Sequence, residues 1–210
     1  MIVAIDGPAG AGKSTVARAL ADRLGFRYLD TGAMYRALTW LAMQRGLDLS
    51  AADELATLAR TEPVTFDAEG RVLIAGIDVT ASIRGPRVDR MVPVVAAHPA
   101  VREVMRERQR QLGQDGDVVI EGRDIGTVVA PDAEVKVYLV ADRDERAKRR
   151  AAERPGIGAD ALATDLRVRD AKDAVRMRPA EDAQEIDTTN LQVEQVVEQI
   201  EQLVRARTAA

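Results

Sequence analysis

Eight residues near the start of the chain, Gly7-Pro8-Ala9-Gly10-Ala11-Gly12-Lys13-Ser14, match G-x-x-x-x-G-K-[ST], the pattern of a phosphate-binding loop. That chemistry needs these residue types. Glycines let backbone N–H groups converge on phosphate oxygens with no Cβ in the way, and a helix expected to begin near Lys13 offers the positive end of its dipole. Lys13 would bridge the β- and γ-phosphates of a nucleoside triphosphate, and the Ser14 hydroxyl would ligate Mg²⁺. The donor-binding set expected from this motif runs from Gly7 to Thr15. The loop says that a triphosphate binds; it does not say what receives the phosphoryl group.

Two further stretches address the acceptor. Leu29-Asp30-Thr31-Gly32-Ala33-Met34-Tyr35-Arg36 and Ile120-Glu121-Gly122-Arg123-Asp124-Ile125-Gly126-Thr127 each follow a short apolar run that reads as a strand. In a parallel α/β sheet the carboxyl ends of the strands collect ligands, so Arg36 and Arg123 are placed to meet an anion. Arginine suits phosphate because its planar fork donates two hydrogen bonds at once and keeps its charge. The carboxylates leave alternatives open. Asp6 would either order a Mg²⁺-bound water or cap the loop, and Asp30 would either accept a hydrogen bond in the acceptor site or serve only its turn. Glu121 occupies the place of a metal-directed acid. His98, the sole histidine, reads as structural, and Trp40 reads as packing.

These groups require a scaffold of alternating strands and helices. Ile2–Ile5 is a continuous β-branched run typical of a buried parallel strand. Ser14–Leu24 carries Val16, Ala17, Leu20 and Leu24 on one helical face, and Gly25 provides its stop. Strands recur at 26–29, 118–120, 135–140 and 185–186, which predicts a parallel sheet covered by helices. Val193, Val196, Val197, Ile200, Leu203 and Val204 form the apolar stripe of a final helix. Short β-like runs at 64–66, 72–74 and 77–79 break the alternation, so Thr61 to about Ala97 reads as an insert.

With 210 residues, 46% hydrophobic and 30% charged content, the chain suits one soluble domain with an inserted part. No apolar run reaches the roughly 18 residues of a membrane span, and no secretory leader is visible, so a cytoplasmic location is expected. Absence of cysteine excludes disulfides and thiolate chemistry. A formal charge of −4 argues against nucleic acid as a partner. The arginine clusters at 143–150 and 167–178 read as solvated helix surface unless a phosphate site lies beside them.

Taken together, Ile5–Ser14, Leu29–Arg36, Glu121–Thr127 and Arg169-Asp170-Ala171-Lys172-Asp173-Ala174-Val175-Arg176 resemble the bacterial cytidylate kinases throughout the chain. The fourth stretch departs from the family's more charged run but keeps Arg, Asp and Arg in step. The resemblance implies a three-layer α/β/α kinase fold of the phosphate-loop class with a five-stranded parallel sheet. It implies a core of residues 1–60 and 98–210, a monophosphate-binding insert at about 61–97 and a lid at about 146–158. It also implies phosphoryl transfer from Mg·ATP to CMP or dCMP, in line and without a covalent intermediate, by a monomer.

Carried over by position, Arg36, Arg123, Arg169 and Arg176 would hold the CMP phosphate, with Arg169 and Asp173 also near the sugar and Thr31 and Tyr35 among the substrate-binding residues. Arg102 and Asp124 would read the cytosine edge, whose N4 amine donates to a carboxylate while N3 and O2 accept. A serine common in the family insert is replaced by Pro93. Lys13, Arg123, Arg176 and Arg149 are the expected catalytic groups, Arg149 standing ahead of Arg146, Lys148 and Arg150 among the lid cations. The rival readings are another small-molecule kinase of the same loop class and a GTP-dependent switch; the latter lacks the Asn-Lys-x-Asp that reads guanine.

Overall fold

Along the chain run β1 (Ile2–Asp6), α1 (Lys13–Leu24), β2 (Arg27–Asp30), α2 (Thr31–Gln44), α3 (Ala52–Thr61), β3 (Thr65–Phe66), β4 (Val72–Ile74) and β5 (Ile77–Asp78). There follow α4 (Pro86–Val95), α5 (Pro99–Gly113), β6 (Val118–Glu121), β7 (Val135–Val140), α6 (Arg143–Glu153), α7 (Ala159–Asp173), β8 (Gln184–Asp187) and α8 (Val193–Thr208). This is a computed structural model, and it describes residues 1–154, 156, 158–174 and 177–208. The chain divides into two units, one of Met1–Leu29 with Asp115–Ala210 and the other of Asp30–Gln114.

The first unit is built on a five-stranded sheet of order β2-β6-β1-β7-β8. β1 pairs in parallel with β6 and β7, setting Ile5 beside Glu121 and Val137, and β7 pairs in parallel with β8. Parallel pairing puts the carboxyl ends of these strands on one edge, so Asp6, Glu121, Val140 and Asp187 all end there. The apolar strand runs are continuous because both faces are covered. Val3, Ile5, Val119, Val137 and Leu139 join Val16 and Leu20 of α1 and Val196, Ile200 and Val204 of α8 in one buried cluster. The expected stripe on the final helix is therefore core. Gly25 takes a left-handed φ of 69° and its N–H closes α1 on the Ala21 carbonyl, as its position predicts.

The second unit, Asp30–Gln114, is wider than the expected insert. Its three short strands form an antiparallel sheet in the order β3-β4-β5, close to the runs read from sequence. A turn at Ala75 and Gly76, with φ of 52° and 72°, joins β4 to β5. The unit outgrows the expected segment because α2 packs on α4 and β4 while α3 packs on α5. Residues 86–95, given no element by the sequence, form α4: Pro86 sits in its first turn, and Val88, Val92 and Val95 are buried. Among the described residues no helix is long and apolar enough to cross a membrane.

Candidate active site

The phosphate loop connects β1 to α1. Gly7, Gly10 and Gly12 have φ of 147°, 78° and 87°, a region that L side chains rarely adopt. Space is as restrictive as torsion at Gly7, where a Cβ would lie 2.2 Å from the Leu139 carbonyl oxygen. Lys13 opens α1 and folds back over the loop, its Nζ donating to the Pro8 carbonyl at 2.8 Å. Burial holds the Lys13 pKa well below the ordinary lysine value. Repulsion from Arg123 adds to this, Glu121 opposes it, and Arg169 pushes further down. These charges share one neighbourhood.

Ser14 donates from its hydroxyl to Glu121 Oε2 at 2.9 Å. The other carboxylate oxygen, Oε1, accepts from the Tyr28 hydroxyl. The Arg18 guanidinium lies 5.1 Å from the centre of the Tyr28 ring. A hydroxyl beside a carboxylate at the foot of a phosphate loop is a hard-oxygen pair of the kind Mg²⁺ accepts, since that ion keeps several waters and needs few protein ligands. Tyr28 was not singled out from the sequence. It stands on β2, where an alternating side chain reads as packing until its hydroxyl partner is known.

Asp6 is not the cap of the phosphate loop, one of the two roles open to it. Its oxygens accept from the N–H groups of Ile125 at 2.9 Å and Gly126 at 2.8 Å, so it caps the tight helical turn 125–129 rather than the phosphate loop. Burial raises its pKa to about 6; the two N–H donors oppose the rise and Asp124 reinforces it. Arg123 donates through Nη1 to the Gly7 carbonyl at 2.6 Å and through Nε to Asp173 at 3.1 Å. Arg169 reaches the same carboxylate at 3.9 Å. Arg123, Arg169 and Asp173 are thus brought together beside Gly7. Arg176 lies outside the described residues.

Arg146 and Arg149 sit on α6. Arg146 is buried and makes a bidentate pair with Asp170, at 3.1 and 2.8 Å, while also donating to the Ala9 carbonyl at 3.1 Å. It is a fastener between α6, α7 and the loop. Arg149 donates to Glu145 and to Thr188, and Arg150 pairs with Glu153.

In the other unit, Asp30 caps α2 by accepting from the Ala33 N–H at 2.8 Å, and its second oxygen accepts from Arg84 at 2.9 Å. Arg36 is buried on α2; its Nη1 donates to the Ile83 carbonyl at 3.1 Å and pairs with Asp89. Thr31 is buried, and Tyr35 and Arg102 are half-buried. His98 makes a 2.8 Å hydrogen bond with the Leu49 carbonyl, consistent with a structural part. Pro93 is buried within α4. Arg102 and Asp124 belong to different units.

The profile of the cytidylate kinase family matches residues 3–206. This chain is a member of the cytidylate kinase family. It is 45% identical to a cytidylate kinase of Bacillus subtilis (strain 168), over 98% of this chain and 97% of that protein. It is 50% identical to a bifunctional pantoate ligase/cytidylate kinase of Synechococcus elongatus over 98% of its length, while spanning only 42% of that longer protein. A shikimate kinase structure from Bacteroides thetaiotaomicron superposes with a TM-score of 0.52 at 17% identity, covering 98% of both chains, a likeness of fold.

Besides Tyr28, two further residues that the sequence did not expose are visible in the first unit. Asp170 stands out in the sequence only as part of a charged run, and Thr188 not at all, although it follows a parallel strand as Arg123 does.

Proposed function

We propose that the protein transfers the γ-phosphoryl group of ATP to a phosphate oxygen of CMP or dCMP, giving ADP and CDP or dCDP. The observation that carries this reading is the placement of Arg123, an acceptor-side arginine, in direct hydrogen bond with Gly7 of the loop that also carries Lys13. An acceptor oxygen attacks the γ-phosphorus as the bond to the β,γ-bridging oxygen breaks, and the electrons of that bond leave on ADP. A phosphate monoester is already anionic near neutral pH, so no strong general base is needed and catalysis is positioning and charge neutralisation.

Lys13 and the backbone N–H groups of the loop hold the donor phosphates. Arg36, Arg123, Arg169 and Arg176 bind the acceptor phosphate, Arg169 and Asp173 also lie near the sugar, and Thr31 and Tyr35 are further acceptor-binding residues. Arg102 and Asp124 read cytosine; uracil, with O4 and N3–H, leaves Asp124 without its donor. Ser14 and Glu121 are the residues that would hold Mg²⁺, which when bound neutralises charge on the β- and γ-phosphates. Residues 61–97 work as the monophosphate-binding part of the second unit, and about 146–158 as a lid excluding water. A cytoplasmic monomer is the assembly proposed.

The test is initial-rate ADP formation with Mg·ATP and CMP, dCMP, UMP, AMP or shikimate in turn. CMP and dCMP should give the highest kcat/KM; a clear preference for AMP, UMP or shikimate would overturn the assignment.

A further inference from the structure

Thr188 follows β8 and is only 2% exposed. Its hydroxyl lies 3.1 Å from the Ala11 carbonyl of the phosphate loop and 3.1 Å from the Val140 carbonyl at the end of β7. The same oxygen accepts from Arg149 Nη1 at 3.0 Å, and the Thr188 carbonyl accepts from Arg149 Nη2 at 2.6 Å. A hydroxyl has one proton and two lone pairs, so it can serve one carbonyl at a time while receiving the guanidinium throughout. The backbone N–H of Thr188 donates to the Val140 carbonyl at 2.8 Å, which fixes the residue independently of its side chain.

Each of the three Arg149 nitrogens is engaged in this arrangement, because its Nε also donates to Glu145 at 3.1 Å. Its Nη1 would lie 3.6 Å from a Cβ placed on Gly12, so the guanidinium is packed against the glycine that leads into α1. The neighbouring turn is equally determined. Asp187 accepts from the Thr189 N–H at 2.9 Å, and the Thr189 hydroxyl accepts from the Asp142 N–H at 3.0 Å. One short segment thereby joins β7, β8 and α6 to the phosphate loop.

We infer that Thr188 is a positioning residue for the donor nucleotide: its hydroxyl holds the Ala11 carbonyl and the Arg149 guanidinium in one frame against the phosphate loop. This rests on the reading of that loop as the ATP site. Its side-chain partners are groups of the loop, β7 and α6, and none is Arg123, Arg169 or Asp173, so the effect falls on the donor rather than the acceptor. Replacing the hydroxyl by a methyl leaves the Ala11 carbonyl and Arg149 Nη1 facing an apolar group, and small displacements of positioning groups have large kinetic effects.

The experiment compares Thr188→Val and Thr188→Ser with the unaltered chain, measuring KM for ATP, KM for CMP and thermal midpoint. Thr188→Val should raise KM for ATP about tenfold, on the scale of losing a hydrogen bond to a charged group. KM for CMP should stay within about twofold, and Thr188→Ser should restore the ATP value. If the valine variant does not fold, Thr188→Ala provides the same comparison. An unchanged KM for ATP, or a proportional rise in both KM values that serine does not restore, overturns the inference. Failure of the unaltered chain to phosphorylate CMP would instead strike the proposed function, so the two are separable.

Discussion

The guanidinium of Arg123 donates to the carbonyl of Gly7 at 2.6 Å, which fastens the segment after β6 to the first residue of the phosphate loop. The same side chain donates to Asp173 at the end of α7, so one arginine ties three segments distant in sequence. Because lysine has no planar fork, it cannot serve Gly7 and Asp173 in this way.

Arg123→Ala is expected to lower kcat with CMP by about a hundredfold, the usual scale for removing a charge-stabilising donor. Arg123→Lys should recover little of the loss. Steady-state kinetics check both, and kcat within about threefold of the unaltered chain would remove Arg123 from the transfer step.

Asp6 makes a pH prediction. Its folded pKa of about 6 lies above the ordinary aspartate value of 3.8, so the folded state holds the proton more tightly. Stability from this group is fully present below about pH 4 and is lost as pH rises through about 6. The full loss is roughly 3 kcal/mol at about 1.36 kcal/mol per pKa unit. Urea unfolding of the unaltered chain and of Asp6→Asn across pH 4.5 to 7.5 should show that decline in the former only. Parallel pH profiles would contradict it.

Arg146, one of the expected lid cations, is buried and makes a bidentate pair with Asp170. Arg146→Ala strands the partly buried Asp170 carboxylate and the Ala9 carbonyl. The expected cost is about 3 kcal/mol of unfolding free energy, read by urea titration. A cost below about 1 kcal/mol would mean that the Arg146–Asp170 pair contributes little to holding α6 on α7.

The parts legible in the sequence share a physical reason. Val3, Ile5, Val137 and Leu139 announce buried strands because a parallel sheet covered on both faces leaves no polar alternation, and the glycines of 7–12 are required by torsion angles no other residue adopts easily. Arg123 lies against the phosphate loop, as expected of a residue just past the end of a parallel strand. What stayed hidden depends on partners remote in sequence. The capping of residues 125–126 by Asp6 is a contact over some 120 positions, and the Tyr28–Glu121 and Thr188–Ala11 bonds are of the same kind. Helix α4 was hidden for a local reason, because its two prolines, 86 and 93, disguise a run whose Val88, Val92 and Val95 do keep helical spacing.

The most direct test of the proposed reaction follows the phosphoryl group itself. CMP is incubated with ATP labelled at the γ-phosphate, Mg²⁺ and the intact chain, and the products and protein are then separated. The label should appear in the β-phosphate of CDP, in step with ADP formation and with none bound to protein. Label recovered only as inorganic phosphate, or carried on the protein ahead of CDP, would contradict direct transfer to the cytidine nucleotide.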